Sequence, residues 1–145
     1  MPATDRIHEG LRWLRQAEED LDAAEKSASI LKKYYLSCFL AQQAAEKALK
    51  AVFYARGALS VRGHSVAELC TAAKDFDPEL AAMRPRLAKL DRYYIPTRYP
   101  NGLSGGHPFE VFDERDAADA VALAGQAIEH ARNRIGQLAQ QPKDA

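Results

Sequence analysis

Only two cysteines, Cys38 and Cys70, occur in 145 residues, without C-x-x-C spacing. A disulfide framework or a zinc site is therefore not expected, and a reduced, cytoplasmic setting is. No excess of either charge exists: 20 basic residues balance 20 acidic ones, for a formal net charge of zero. That argues against a protein that holds nucleic acid by bulk positive charge, while leaving room for a local basic patch. The start, M-P-A-T-D-R-I-H, has no apolar leader core, and no run approaches the roughly 18 apolar residues of a membrane span. No membrane association, metal or cofactor is expected. Strand patterning is equally scarce. F-E-V-F at 109–112 alternates, but it is too short to build a sheet.

Helical periodicity fills the rest. One domain is expected over 1–145, with a disordered tail from about residue 141. The first helix is expected from Thr4 to Ser27, on a stripe of Ile7, Leu11, Leu14, Leu21, Ala24 and Ala28. Ser27, Ser29 and the Lys32-Lys33 pair mark a break. A second helix follows over Tyr34–Arg56, closed by Gly57. Its seam is Tyr34, Cys38, Ala41, Ala45, Ala48, Val52 and Ala55, small enough to let a neighbouring helix approach closely. Ser65 and Glu68 form a capping-box pattern that opens a third helix. Asp77 with Pro78 opens a fourth, carrying Leu80, Met83, Leu87 and Leu90. Asp113 caps a last helix, which carries Ala117, Val121, Ala124, Ile128, Ile135 and Leu138. The fold class this predicts is all-α, an antiparallel up-and-down bundle of four to five helices.

The second helix contains a conflict. At 100° per residue, with Ala45 at zero, Gln42 falls at about 60°, Tyr35 and Phe53 at about 80°, Glu46 at about 100° and Phe39 at about 120°. Glu46 thus lies within an aromatic stripe, where an isolated carboxylate is too costly. Two readings stand. Glu46 sits at the stripe's margin and pairs in water with Lys50, or Q-Q-A-A-E-K-A-L-K lines a polar pocket roofed by the loop 93–108. That loop, Y-Y-I-P-T-R-Y-P-N-G-L-S-G-G-H-P, is long for a helix connection and chemically loaded. Pro96 and Pro100 stiffen the chain around Arg98, whose expected partner is Glu46. The loop reads as a strap first, with any ligand site on its outer edge. His8 and His130, among charged neighbours, read as solvated. The glycines before His107 leave it mobile, and Trp13 is either core or an oligomer contact.

F-L-A-Q-Q-A-A-E-K-A-L-K-A, G-H-S-V-A-E-L and R-Y-Y-I-P-T-R-Y-P, in that order before a final helix, closely resemble the HEPN domain family over roughly residues 8–135. The resemblance implies a four- or five-helix bundle, commonly a homodimer, in which many prokaryotic members are encoded beside a minimal nucleotidyltransferase as a toxin–antitoxin or related pair. Nucleotide binding is attributed to one eukaryotic relative, the terminal domain of the chaperone sacsin. Some branches are metal-independent ribonucleases, with an arginine followed four to six residues later by a histidine. Here Arg56 and His64 have seven residues between them, Arg98 and His107 eight, and Arg62 and His64 one. The reading is therefore a non-enzymatic module that binds a nucleotide or RNA phosphate weakly and acts with a nucleotidyltransferase partner. Its candidate site is Gln43, Glu46, Lys47, Lys50, His64, Arg92, Tyr94, Arg98 and Tyr99, with no catalytic residue. A dimeric interaction protein without ligand, and a ribonuclease with a divergent site, are the alternatives.

Overall fold

Residues 3–141 are described by the computed structural model, with side chains from residue 5 onward. Positions 142–145 of the expected tail lie outside them. Three long helices form the frame: α1 (Ala3–Ser29), α2 (Tyr34–Ala55) and α7 (Glu114–Ala139). The break between α1 and α2 falls where the serines and lysines place it, with Lys32 in the left-handed region at φ 56°. The Ser37 hydroxyl donates to the Ala24 carbonyl at 2.7 Å and ties the hairpin shut.

At the other end of the hairpin, Gly10 lets the two backbones meet. A Cβ there would lie 2.7 Å from the Ala55 Cβ and 2.9 Å from the Ala51 carbonyl oxygen. Nearly the whole predicted seam of α2 is buried, from Cys38 through Ala41, Ala45, Ala48 and Val52 to Ala55. Against it α7 sets Ala117, Ala120, Ala124, Ala127 and Ala131, all fully buried. An alanine-rich interior keeps helix propensity high and brings the helix axes close. The small side chains bury little area each, so stability comes from many short contacts. Burial pushes the Cys38 thiol up to about 12 and the Cys70 thiol up to about 11.

The chain between α2 and α7 folds as a fourth, broken layer: α3 (Val66–Ala72), α4 (Pro78–Ala82), α5 (Arg84–Leu87) and α6 (Pro108–Val111), with 3₁₀ turns at Ala88–Tyr93 and Pro100–Gly102. The single helix expected after Asp77 is interrupted. Pro85 has no N–H for the Ala81 carbonyl, and its ring crowds that carbonyl, so the helix restarts after Met83. The apolar stripe survives the break, and Leu80, Met83, Leu87 and Leu90 are all buried. Ser65 caps α3 by accepting from the Glu68 N–H at 3.1 Å. The reciprocal bond expected from Glu68 to the Ser65 N–H is not among those of the described residues; Asp91 instead caps the same end, accepting from the Ser65 hydroxyl at 2.9 Å and the backbone N–H groups of Val66 at 2.6 Å and Ala67 at 3.0 Å. Asp113 and Asp116 form a reciprocal capping box at the start of α7. Phe109 to Phe112 make a helical turn, and the described residues contain no strand. No described helix is long and apolar enough to cross a membrane.

Candidate functional site

Glu46 is buried, but it is not stranded. Its Oε2 lies 3.0 Å from the Lys50 ammonium, one turn on, with both side chains only 6% and 7% exposed. The i,i+4 pair therefore forms, inside the protein and not in water. Gln42, fully buried one turn earlier, directs its amide to the Glu46 carboxylate at 3.4 Å and to the His64 backbone carbonyl at 3.0 Å. His64 approaches from the loop before α3, its Nδ1 3.3 Å from Glu46 Oε1. Beyond Lys50, the row ends on the Trp13 ring, 6.0 Å from the ammonium, which stacks on Tyr54 at 4.9 Å. Trp13 is thus half-buried packing between α1 and α2.

The strap joins this row through stacking. The His64 imidazole lies on the Tyr94 ring with centroids 4.6 Å apart and planes inclined by 18°. Arg98 follows, with its guanidinium 4.5 Å from the Tyr94 ring, 4.7 Å from Phe39 and 5.3 Å from Tyr99. Its Nε donates to the Tyr94 carbonyl at 2.8 Å. The expected pairing of Arg98 with Glu46 does not occur. Lys50 already neutralises that carboxylate from the same helix, and three aromatic faces hold the arginine at the surface. Tyr93 and Thr97, buried on the other side of the strap, anchor it, and the Thr97 hydroxyl donates to the Tyr93 carbonyl. The Nη hydrogens of Arg98 reach no protein acceptor among the described residues, which leaves a fixed cation facing outward.

Of the nine predicted residues, Glu46, Lys50, His64, Tyr94, Arg98 and Tyr99 fall in one continuous row. Gln43 supports it from behind, donating to the Gln42 side chain at 2.7 Å. Lys47 turns away to Asp20 of α1 at 2.6 Å, and Arg92 lies 5.4 Å from the Tyr93 ring, outside the row. Beside Arg98 opens a cavity of about 640 Å³ whose lining includes Lys33, Tyr35, Phe39, His107 and Phe109. None of these five was among the predicted site residues. The aromatic face of α2 carries the signal for two of them, whereas only the return of the chain to the start of α2 brings in His107 and Phe109. His107 contacts the Glu110 carboxylate and stacks on Phe109 at 5.6 Å.

A second cluster also escaped sequence reading. His130 is buried, not solvated, because α4 and α5 pack across α7 at that point. Its Nε2 lies 2.8 Å from Asp77 Oδ2, and Arg134 reaches both oxygens of the same carboxylate at 3.2 Å.

Both clusters sit within a recognisable family. The HEPN domain profile matches residues 11–134. No curated protein matches the sequence. Among solved structures, TT1696 from Thermus thermophilus is 35% identical, covering 87% of this chain and 98% of its own, with a TM-score of 0.80. ST0689, described as an archaeal HEPN homologue, is also 35% identical, covering 88% of this chain and 98% of its own, with a TM-score of 0.72. A profile match across most of the chain and near-complete coverage of both structures agree with the bundle described above: the chain belongs to the HEPN domain family.

Proposed function

We propose that this HEPN domain is a non-catalytic cytoplasmic module that weakly binds the phosphate of a nucleotide or RNA and acts beside a minimal nucleotidyltransferase partner. The observation that carries the reading is the exposed Arg98 guanidinium, oriented by three aromatic rings and left with donors unused. It borders a cavity in which Tyr35, Phe39 and Phe109 offer flat apolar faces, Lys33 adds positive charge and His107 an imidazole. Aromatic surface for a base next to cations for a phosphate is the composition such a ligand requires. His64 and Tyr94 line the approach, and the buried Glu46–Lys50 pair supports them from below. For the partner, the support is family membership, since many prokaryotic HEPN proteins are encoded beside such an enzyme.

A second reading has its own observation. Ile95, Tyr99, Phe109 and Val111 are exposed on the strap side, and such a patch also suits burial against a second copy without any ligand. Calorimetry with ATP and GTP separates the two. Binding at about millimolar strength that Arg98→Ala abolishes supports the first reading. No heat with either nucleotide removes it and leaves the dimer. RNA incubated with the protein in EDTA should remain intact, and cleavage that persists through purification would overturn the non-catalytic assignment.

A further inference from the structure

His130, held by the buried Asp77, lines a cavity of about 520 Å³ between α4, α5 and α7, built from residues that the strap site does not use. Asp77 is a carboxylate with only acceptors to offer, and it is saturated. It takes hydrogen bonds from the Leu80 N–H at 3.1 Å, from Arg134 Nε and Nη2 at 3.2 Å each, and from His130 Nε2 at 2.8 Å. Asp77 can only accept, so the hydrogen in this contact sits on Nε2, and in the neutral ring Nδ1 presents a lone pair. His130 is 8% exposed, yet its Nδ1 has no hydrogen-bond partner among the described residues and is not sealed from solvent. The cavity it lines is what reaches it. Holding Asp77 in place does not require that open acceptor.

The remaining lining is sorted by chemistry. Arg134 is neutralised by Asp77 and by Glu79 at 3.1 Å. Arg86 donates its Nε to the neutral amide oxygen of Gln126 at 3.2 Å and makes no ion pair among the described residues. Its charge is thus available to an anion. Glu129 and Asn133, one on each side of His130 along α7, add an acceptor and an amide to the same wall. Acceptors for hydroxyls beside an uncommitted guanidinium suit a small ligand that carries both hydroxyl groups and an anionic group. The volume lies within the range of about 300 to 1,000 Å³ usual for small-molecule sites.

We infer that this cavity is a binding site for a small hydroxyl-bearing phosphate of the sugar-phosphate type. A ligand hydroxyl donates to His130 Nδ1, and the Arg86 guanidinium holds the phosphate. Asp77 positions the imidazole and does not touch the ligand. The inference does not depend on nucleotide binding at the strap.

Long-range proton–nitrogen spectra of the histidine rings in the nitrogen-15-labelled full chain provide the test, with ribose 5-phosphate as the probe. The free protein should show His130, identified through His130→Gln, as the Nε2–H tautomer. Ribose 5-phosphate should shift its Nδ1 signal saturably at or below about 10 mM. Ribose alone and inorganic phosphate alone should shift it far less, since each lacks one of the two recognised groups. Arg86→Ala, at an exposed position that leaves the Asp77 cluster intact, should weaken binding by about tenfold or more. Arg98→Ala should leave it unchanged. A His130 signal that ignores ribose 5-phosphate overturns the inference, as does a shift reproduced in full by inorganic phosphate or undiminished in Arg86→Ala.

Discussion

Replacing Glu46 by alanine should destabilise the protein by about 3 kcal/mol, a value set by where its partner is left. In a solvent-exposed i,i+4 pair the loss would be about 0.3 to 0.5 kcal/mol, because water takes over both charges. Here the Lys50 ammonium is 7% exposed and 3.0 Å from the carboxylate. Removing one member of a buried pair leaves the other charged and undersolvated, which costs roughly 3 to 5 kcal/mol. The lower end applies, since the lysine stem can extend toward solvent and the nearby Trp13 ring gives partial compensation. Against a total stability of about 5 to 15 kcal/mol, such a loss is easily resolved. Urea unfolding followed by circular dichroism, at constant slope, gives the change directly. Lys50→Met alone should cost less, because Glu46 keeps Gln42 and His64 as partners. Glu46→Leu combined with Lys50→Met should recover most of the loss, since a well-packed apolar pair replaces two buried charges. A Glu46→Ala effect below about 0.5 kcal/mol, or a double variant no better than the sum of its parts, would refute a buried charge pair.

Gly10→Ala should destabilise by roughly 1 to 3 kcal/mol in the same assay, because the new methyl collides with Ala55 and the Ala51 carbonyl. Gly136→Ala, where nothing lies within 4 Å of the added Cβ, should instead stabilise by about 0.5 to 1 kcal/mol. Cys38 and Cys70, buried with their thiols pushed up to about 12 and about 11, should resist iodoacetamide in the native state and react on unfolding. The Asp116 N–H holds the Asp113 carboxyl below its usual range, so this cap stabilises above the unfolded-state value and the contribution fades as pH falls through the folded-state one. Asp113→Asn should therefore flatten the acid limb of a plot of urea midpoint against pH.

Much of this architecture is local chemistry, and local chemistry was legible. The caps at Ser65, Asp77 and Asp113, the break before Tyr34 and the small-residue seam of α2 each depend on residues within a few positions of one another. The wheel set Glu46 within the aromatic stripe of α2, because a helix's faces follow from its period, but left open whether it meets water there. What failed was partner choice across the chain. The expected Glu46–Lys50 pair forms, but buried rather than in water, while Arg98, the partner expected from the strap, rests on aromatic surface instead. His130 looked solvated among Glu129, Arg132 and Arg134, since the α4–α5 layer that covers it lies more than forty residues away. The continuous apolar stripe from Leu80 to Leu90 masks the break that Pro85 imposes after Asp77. Asp91 could not be identified as the second cap of α3, because it is 26 residues from Ser65.

Chemical-shift mapping of ATP binding tests the central claim most directly, since it reports both whether the nucleotide binds and where. The account predicts the largest shifts at Arg98, Tyr35, Phe39 and Phe109, with smaller ones at Tyr94, Tyr99 and His64 and none around Trp13 on the opposite end of the row. Shifts centred elsewhere, or a spectrum unchanged at about 10 mM nucleotide, would contradict it.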